Sequence, residues 1–215
     1  LLVDRQPDAS TKEVWAGLRF ELEQDWHVYW QNPGDSGGPP TILWQPGGGL
    51  TPGEFEWPLP ERIPLGHLVN YGYTNEVVLP FPVRLGKPLP SGGAALEGQV
   101  KWLICRDICI PGQARLGVTL PLGPEDAGRV SGWKRQIDGA RARVPKAAPA
   151  TWQAKATSTD TEFVLSVRLD RPATSATFYP LEVSQVNDSA PQDVKASGRD
   201  LVMRLRQSDQ LTGEP

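Results

Sequence analysis

Between Val14 and Leu22 every second residue is apolar (Val14, Ala16, Leu18, Phe20, Leu22), while Arg19, Glu21 and Glu23 take the other side. A period of two is that of a strand with one face buried. The same alternation recurs at Leu96, Val100, Trp102 and Ile104 and again at Ala114, Leu116, Val118 and Leu120, which predicts two strands joined across the segment CRDICIPG. Around them stand WHVYW, the short run TILW and the breaker runs NPGDSGGPP and QPGGGLTPG. Short strands divided by Gly/Pro turns are the pattern of a sandwich or barrel. The period changes over residues 124–144, where Val130, Trp133, Ile137, Ala140 and Val144 recur at spacings of three and four after Pro124, Glu125 and Asp126. That start suits a helix N-terminus, so one amphipathic helix is predicted against the first domain, weakened by Gly128, Gly132 and Gly139.

VPKAAPA, residues 144–150, reads as a linker, because its prolines exclude helix and its small side chains cannot anchor a strand core. The expected organisation is therefore a first domain over residues 1–146 and a second β-rich domain over 147–215. In the second, FVLSVRL, ATFYPLEV and LVMRLR read as strands of a smaller sandwich-like unit. Its roughly 65 residues fall short of the seven or so strands of a full sandwich, as a truncated unit would.

Composition narrows the partners rather than the fold. The net charge of -3, from 22 basic and 25 acidic residues, offers no basic stripe, so nucleic acid is excluded as a partner. Glycine and proline, 22 of each, agree with turn-rich β structure and stay below the level of disorder. No apolar run is long enough to span a membrane and no signal segment opens the sequence, which leaves a cytosolic chain and a processed, exported fragment both open.

The two cysteines are Cys105 and Cys109. On one straight strand their Cα atoms would stand about 13 Å apart, whereas a disulfide allows roughly 4.4–6.8 Å. The chain must turn between them, either through Arg106, Asp107 and Ile108 or through a helical turn. A ring of five residues would stabilise the fold by only about 2 kcal/mol, against nearly 5 for a hundred-residue loop. Such a small ring suits a reducible, exchange-competent pair, yet an exported β domain with two cysteines also uses them as an inert bridge. Arg106 favours a thiolate and Asp107 opposes it, so the neighbours leave both readings open. Pro111 lacks a backbone donor and is expected to help end the pairing here and leave the turn projecting.

Other chemistries are poorly served. A metal site would need His27 or His67 beside the cysteines, without the paired spacing of zinc ligands, so no metal is expected. No P-loop occurs, since GGG at 47–49 has no lysine after it. Seven of the eight tryptophans precede the linker. Trp102 and Trp133 fall on predicted buried faces; exposed tryptophans would instead make a sugar-stacking platform, so a carbohydrate-binding module is the alternative from another class. In NYGY, residues 70–73, Tyr71 and Tyr73 flank a glycine, and such a loop could fold over a reactive group or be ordinary half-buried sheet.

Taken together, DWHVYWQNPGDSGGPPTILW, LVNYGYTNEVVLPF and VKWLICRDICIPGQA resemble the periplasmic N-terminal region of the DsbD/ScsB family of thiol:disulfide interchange proteins. The order of W-H-x-Y-W-x-N-P-G-D-S-G and C-x-x-x-C-I-P is the specific part, and it is closer to the ScsB-like branch, since DsbD domains space their two cysteines more widely. The resemblance implies a mainly β, immunoglobulin-like β-sandwich whose cysteine pair is a thiol:disulfide oxidoreductase centre without any cofactor beyond the disulfide itself. It implies that the pair takes electrons from membrane and thioredoxin-like domains of the same full-length protein and reduces thioredoxin-like periplasmic partners. The fragment itself would be soluble, in the periplasm, as part of an inner-membrane protein. Cys109 would be the attacking thiolate and Cys105 the resolving one, Asn70, Tyr71, Gly72 and Tyr73 would correspond to the cap over the cysteines, and Arg106 and Asp107 would tune them. Asn70 departs from the phenylalanine of the DsbD cap. Copper tolerance is the setting that the ScsB branch implies.

Overall fold

In a computed structural model of the chain, residues 1–210 are described apart from 9, 46, 48, 87–92 and 122–126. The strands, in chain order, are β1 (Leu2–Val3), β2 (Glu13–Glu21), β3 (His27–Gly34), β4 (Thr41–Trp44), β5 (Leu50–Pro52), β6 (Glu61–Leu65), β7 (Leu68–Thr74), β8 (Glu76–Leu85), β9 (Ala94–Cys105) and β10 (Cys109–Leu120). A helix, α1 (Lys134–Ala142), precedes β11 (Gln153–Ser158), β12 (Glu162–Arg168), β13 (Asp193–Ser197) and β14 (Asp200–Arg206). They form three sheets, with orders β1-β2-β8-β5, β10-β9-β3-β7-β6 (β4 also pairing β9) and β11-β12-β14-β13. This is the mainly β, sandwich-type fold with one short helix that the alternation predicts.

The chain divides into two compact units, the first made of residues 1–31, 38–61 and 72–145, the second of residues 32–37, 62–71 and 146–215. In the first, the inward residues of β2 and β8 (Val14, Ala16, Phe81, Val83) meet Ala94, Leu96 and Leu120 in one buried cluster. These are the apolar positions of period-two strands, and burying them is the main force holding the layers together. On the other face of the first sheet, Ile137 and Ala140 of α1 pack on Leu2 and Val78 with Trp15 at the edge. In the second unit, Leu201, Met203 and Leu205 of β14 supply the buried face.

Two expectations are corrected. The helix is shorter than the 124–144 pattern: Gly128 has a φ of +72° and Val130 bridges Arg5 in extended pairing, so helical backbone begins only after Trp133, which is 42% exposed. The predicted helix start at 124–126 lies outside the described residues. ATFYPLEV, 176–183, is not a strand. Its backbone is met by side chains instead: Gln192 Oε1 accepts from the N–H of Phe178 and its Nε2 donates back to that residue's carbonyl, while Asn32 Nδ2 donates to the carbonyls of Pro180 and Glu182.

Candidate redox site

β9 and β10 form a hairpin in continuous register from Leu120 opposite Ala94 to Cys109 opposite Cys105. Directly opposed residues of an antiparallel pair carry their side chains on the same face. Arg106, Asp107 and Ile108 make the turn, closed by the Arg106 N–H donating to the Ile108 carbonyl at 3.1 Å. The two cysteines are bonded, with Cα atoms 4.1 Å apart. Contrary to expectation, Pro111 does not end the pairing, which continues through Pro111 opposite Leu103. β10 is the terminal strand of its sheet, and a missing donor is tolerated on an edge. Gly112 lies opposite Trp102, whose indole fills the space a Cβ would need, at 2.3 Å.

The two sulfurs sit in unlike surroundings. Cys105 is fully buried, whereas Cys109 is exposed, flanked by Ile108 and Ile110 at 65% and 41% exposure. Arg106 pairs with Asp107 at 3.1 Å and its guanidinium stands 5.4 Å from the ring centre of Trp26. The predicted tuning residues thus sit at the turn but engage each other first.

On the inner side, β3 pairs β9 with His27 opposite Cys105. His27 and Tyr29, two residues apart on one strand, contact edge to face at 5.1 Å between ring centres. The Tyr29 hydroxyl lies 3.5 Å from Cys109 Sγ and, the sulfur carrying no proton in the disulfide, donates to it. Both rings are buried, His27 at 2% exposure and Tyr29 at 0%. Burial draws the His27 imidazole below its ordinary pKa of 6.5. Sequence reasoning weighed His27 only as a metal ligand and passed over Tyr29; the signal was their spacing of two in WHVYW, which puts both on one face.

The NYGY segment is not a loop. Asn70, Tyr71, Gly72 and Tyr73 are buried inside β7. The Tyr71 hydroxyl donates to Asp188 Oδ1 at 2.9 Å, that of Tyr73 to the Pro58 carbonyl at 2.7 Å, and Asn70 Oδ1 accepts from Ser36 Oγ. Gly72 is required because a Cβ there would stand 2.4 Å from the Val28 carbonyl oxygen. A projecting cap made of this segment is therefore corrected: its four residues are buried in succession, as in a strand with both faces covered.

Of the eight tryptophans Trp30 is buried, six are half-buried, and the exposed one, Trp133, lies 5.9 Å under the Arg19 guanidinium. Among the described residues no group of three or more His, Cys, Asp or Glu side chains is placed to hold a metal ion, and His67 is exposed in the turn between β6 and β7. No helix among the described residues is long and apolar enough to cross a membrane.

In this β-sandwich the hairpin-tip disulfide joins an exposed sulfur, Cys109, to a buried one, Cys105, an arrangement able to undergo thiol–disulfide exchange. The chain belongs to the family of thiol:disulfide interchange protein DsbD, N-terminal region, which it matches over residues 2–121. Among solved structures it resembles the N-terminal periplasmic domain of ScsB from Proteus mirabilis, with 21% identity, a TM-score of 0.67, and coverage of 95% of this chain and 78% of that one. That likeness is one of fold. No curated protein matches the chain.

Proposed function

We propose that the domain is a periplasmic electron relay: a dithiol charged by thioredoxin-like and membrane domains, which then reduces the disulfides of thioredoxin-like partner proteins. The observation that carries this reading is the asymmetry of the pair, Cys109 exposed and Cys105 buried within one hairpin-tip disulfide. In the reduced domain Cys109, as thiolate, attacks a partner sulfur; the partner's disulfide breaks and its second sulfur leaves with the electron pair and takes a proton. Cys105 then attacks Cys109 Sγ, the mixed disulfide breaks, and the partner's first sulfur departs as a thiol. The pair loses two electrons and the partner gains two, with no cofactor beyond the sulfurs. Tyr29 supports the same assignment, because its hydroxyl at Cys109 Sγ would stabilise negative charge on that sulfur.

Trapping tests it. Cys105→Ser, reduced and mixed with an oxidised thioredoxin-like protein, should accumulate a mixed disulfide at Cys109 on a non-reducing gel, and Cys109→Ser should accumulate little. Equal trapping by both variants, or trapping through Cys105 alone, would sink the assignment.

A further inference from the structure

In the resolving step Cys105 must give up its proton while Cys109 is tied to the partner. Cys105 has no exposed surface, so bulk water cannot take that proton directly. A bare thiolate buried there carries a desolvation cost, which raises the pKa of a thiol in apolar surroundings. A base on the same face of the sheet removes the difficulty.

His27 is the Cα partner of Cys105, and opposed residues place their Cβ atoms about 4.5–5.5 Å apart on one face. Its Nε2 is buried without a hydrogen-bond partner, an arrangement that buried polar atoms ordinarily avoid. The neutral ring carries one nitrogen lone pair able to accept a proton. Burial keeps the ring neutral at neutral pH, with its pKa drawn below 6.5. The same ring contacts Tyr29, whose hydroxyl reaches Cys109 Sγ.

We propose that His27 is the general base of the resolving step, accepting the Cys105 thiol proton as that sulfur attacks Cys109. The inference rests on the exchange function above. The electron pair freed on Cys105 Sγ forms the new bond to Cys109 Sγ; the bond between Cys109 and the partner sulfur breaks and its pair leaves on the partner; the imidazolium then returns its proton to that leaving thiolate. The other titratable groups on the flanking strands are engaged or outward: Glu97 and Lys101 of β9 are exposed, and Tyr71 and Tyr73 of β7 donate to Asp188 and Pro58. At the turn, Arg106 and Asp107 pair with each other.

The test is stopped-flow reaction of the reduced chain with 5,5′-dithiobis(2-nitrobenzoate). Attack by Cys109 releases one chromophore at a rate that depends on reagent concentration, and resolution by Cys105 releases the second at a rate that does not. The wild-type second phase should rise with pH through one ionisation below 6.5, the ordinary histidine value, and then level. His27→Gln should abolish that inflection and slow the second phase about a hundredfold, a usual contribution of a positioned base, and far more than it slows the first phase. An unchanged second phase in His27→Gln overturns the proposal. So does a wild-type profile that follows only a thiol ionisation near pH ~8.5, and this readout holds even if the variant fails to fold. Absence of any concentration-independent release in the wild type would overturn the exchange function, and His27's role with it.

Discussion

Cys105 and Cys109 share one bond and one end of the hairpin but differ in their surroundings, because Cys105 lies on the inner strand β9, opposite His27, and Cys109 on the edge strand β10. Asp188 presents a similar case in the second unit. It is buried, accepts the Tyr71 hydroxyl at 2.9 Å, and its backbone carbonyl accepts from Arg62. Burial is the largest influence on its carboxyl and raises its pKa above the ordinary 3.8, outweighing the Tyr71 hydrogen bond. A raised carboxyl pKa means that the folded state binds the proton more tightly than the unfolded one. The associated stability is present below pH 3.8 and is lost as pH climbs through the folded pKa. Asp188→Asn keeps an acceptor for Tyr71 and carries no charge. The stability of the wild type relative to this variant, from urea midpoints between pH 3 and 7, should fall as pH rises; a flat difference would show that the carboxyl is not destabilised by burial. Neither this contact nor the pairing of His27 opposite Cys105 was legible in the sequence, because each joins residues whose neighbourhood is created by pairing of distant strands.

At the scale of elements, the strands with one buried face were legible and those without were not. β2, β9 and β10 announce themselves by alternation, and the hairpin that holds the disulfide follows from two such runs facing each other across a three-residue turn. β11, QAKATS, is exposed along its whole length and carries no periodic signal. The segment 176–183 misled in the opposite direction, since its aromatics resemble a strand while its backbone is satisfied by Gln192 and Asn32. NYGY was legible as aromatic but not as interior strand, because a fully covered strand and a capping loop look alike without their neighbours. The helix shows how local sequence sets an element's length: left-handed backbone at Gly128 holds the chain out of helix, and Ile137 and Ala140 then anchor what remains. Gly139 lies within α1, and a Cβ there would meet nothing within 4 Å. Gly139→Ala should therefore stabilise the protein by about 0.5–1 kcal/mol through reduced freedom of the unfolded chain, read as a higher urea midpoint. A lower midpoint would mean that the helix face is not open as described.

For the molecule as a whole, the first unit is held by a core between sheets, from Val3 and Val14 to Leu120, and the disulfide closes only a five-residue ring at the end of one hairpin. Such a ring supplies about 2 kcal/mol by chain entropy, little beside the burial of a sandwich core. The bond is thus free to open without unfolding the domain that carries it, which is the property a relay needs and a staple does not. The most direct test is the reduction potential of the Cys105/Cys109 couple, obtained by equilibrating the protein in graded thiol–disulfide buffers, quenching with an alkylating reagent and weighing the products. A relay pair should lie between about -120 and -270 mV, in the range of known exchange proteins, whereas a value below about -300 mV is that of a structural bridge and would contradict the account.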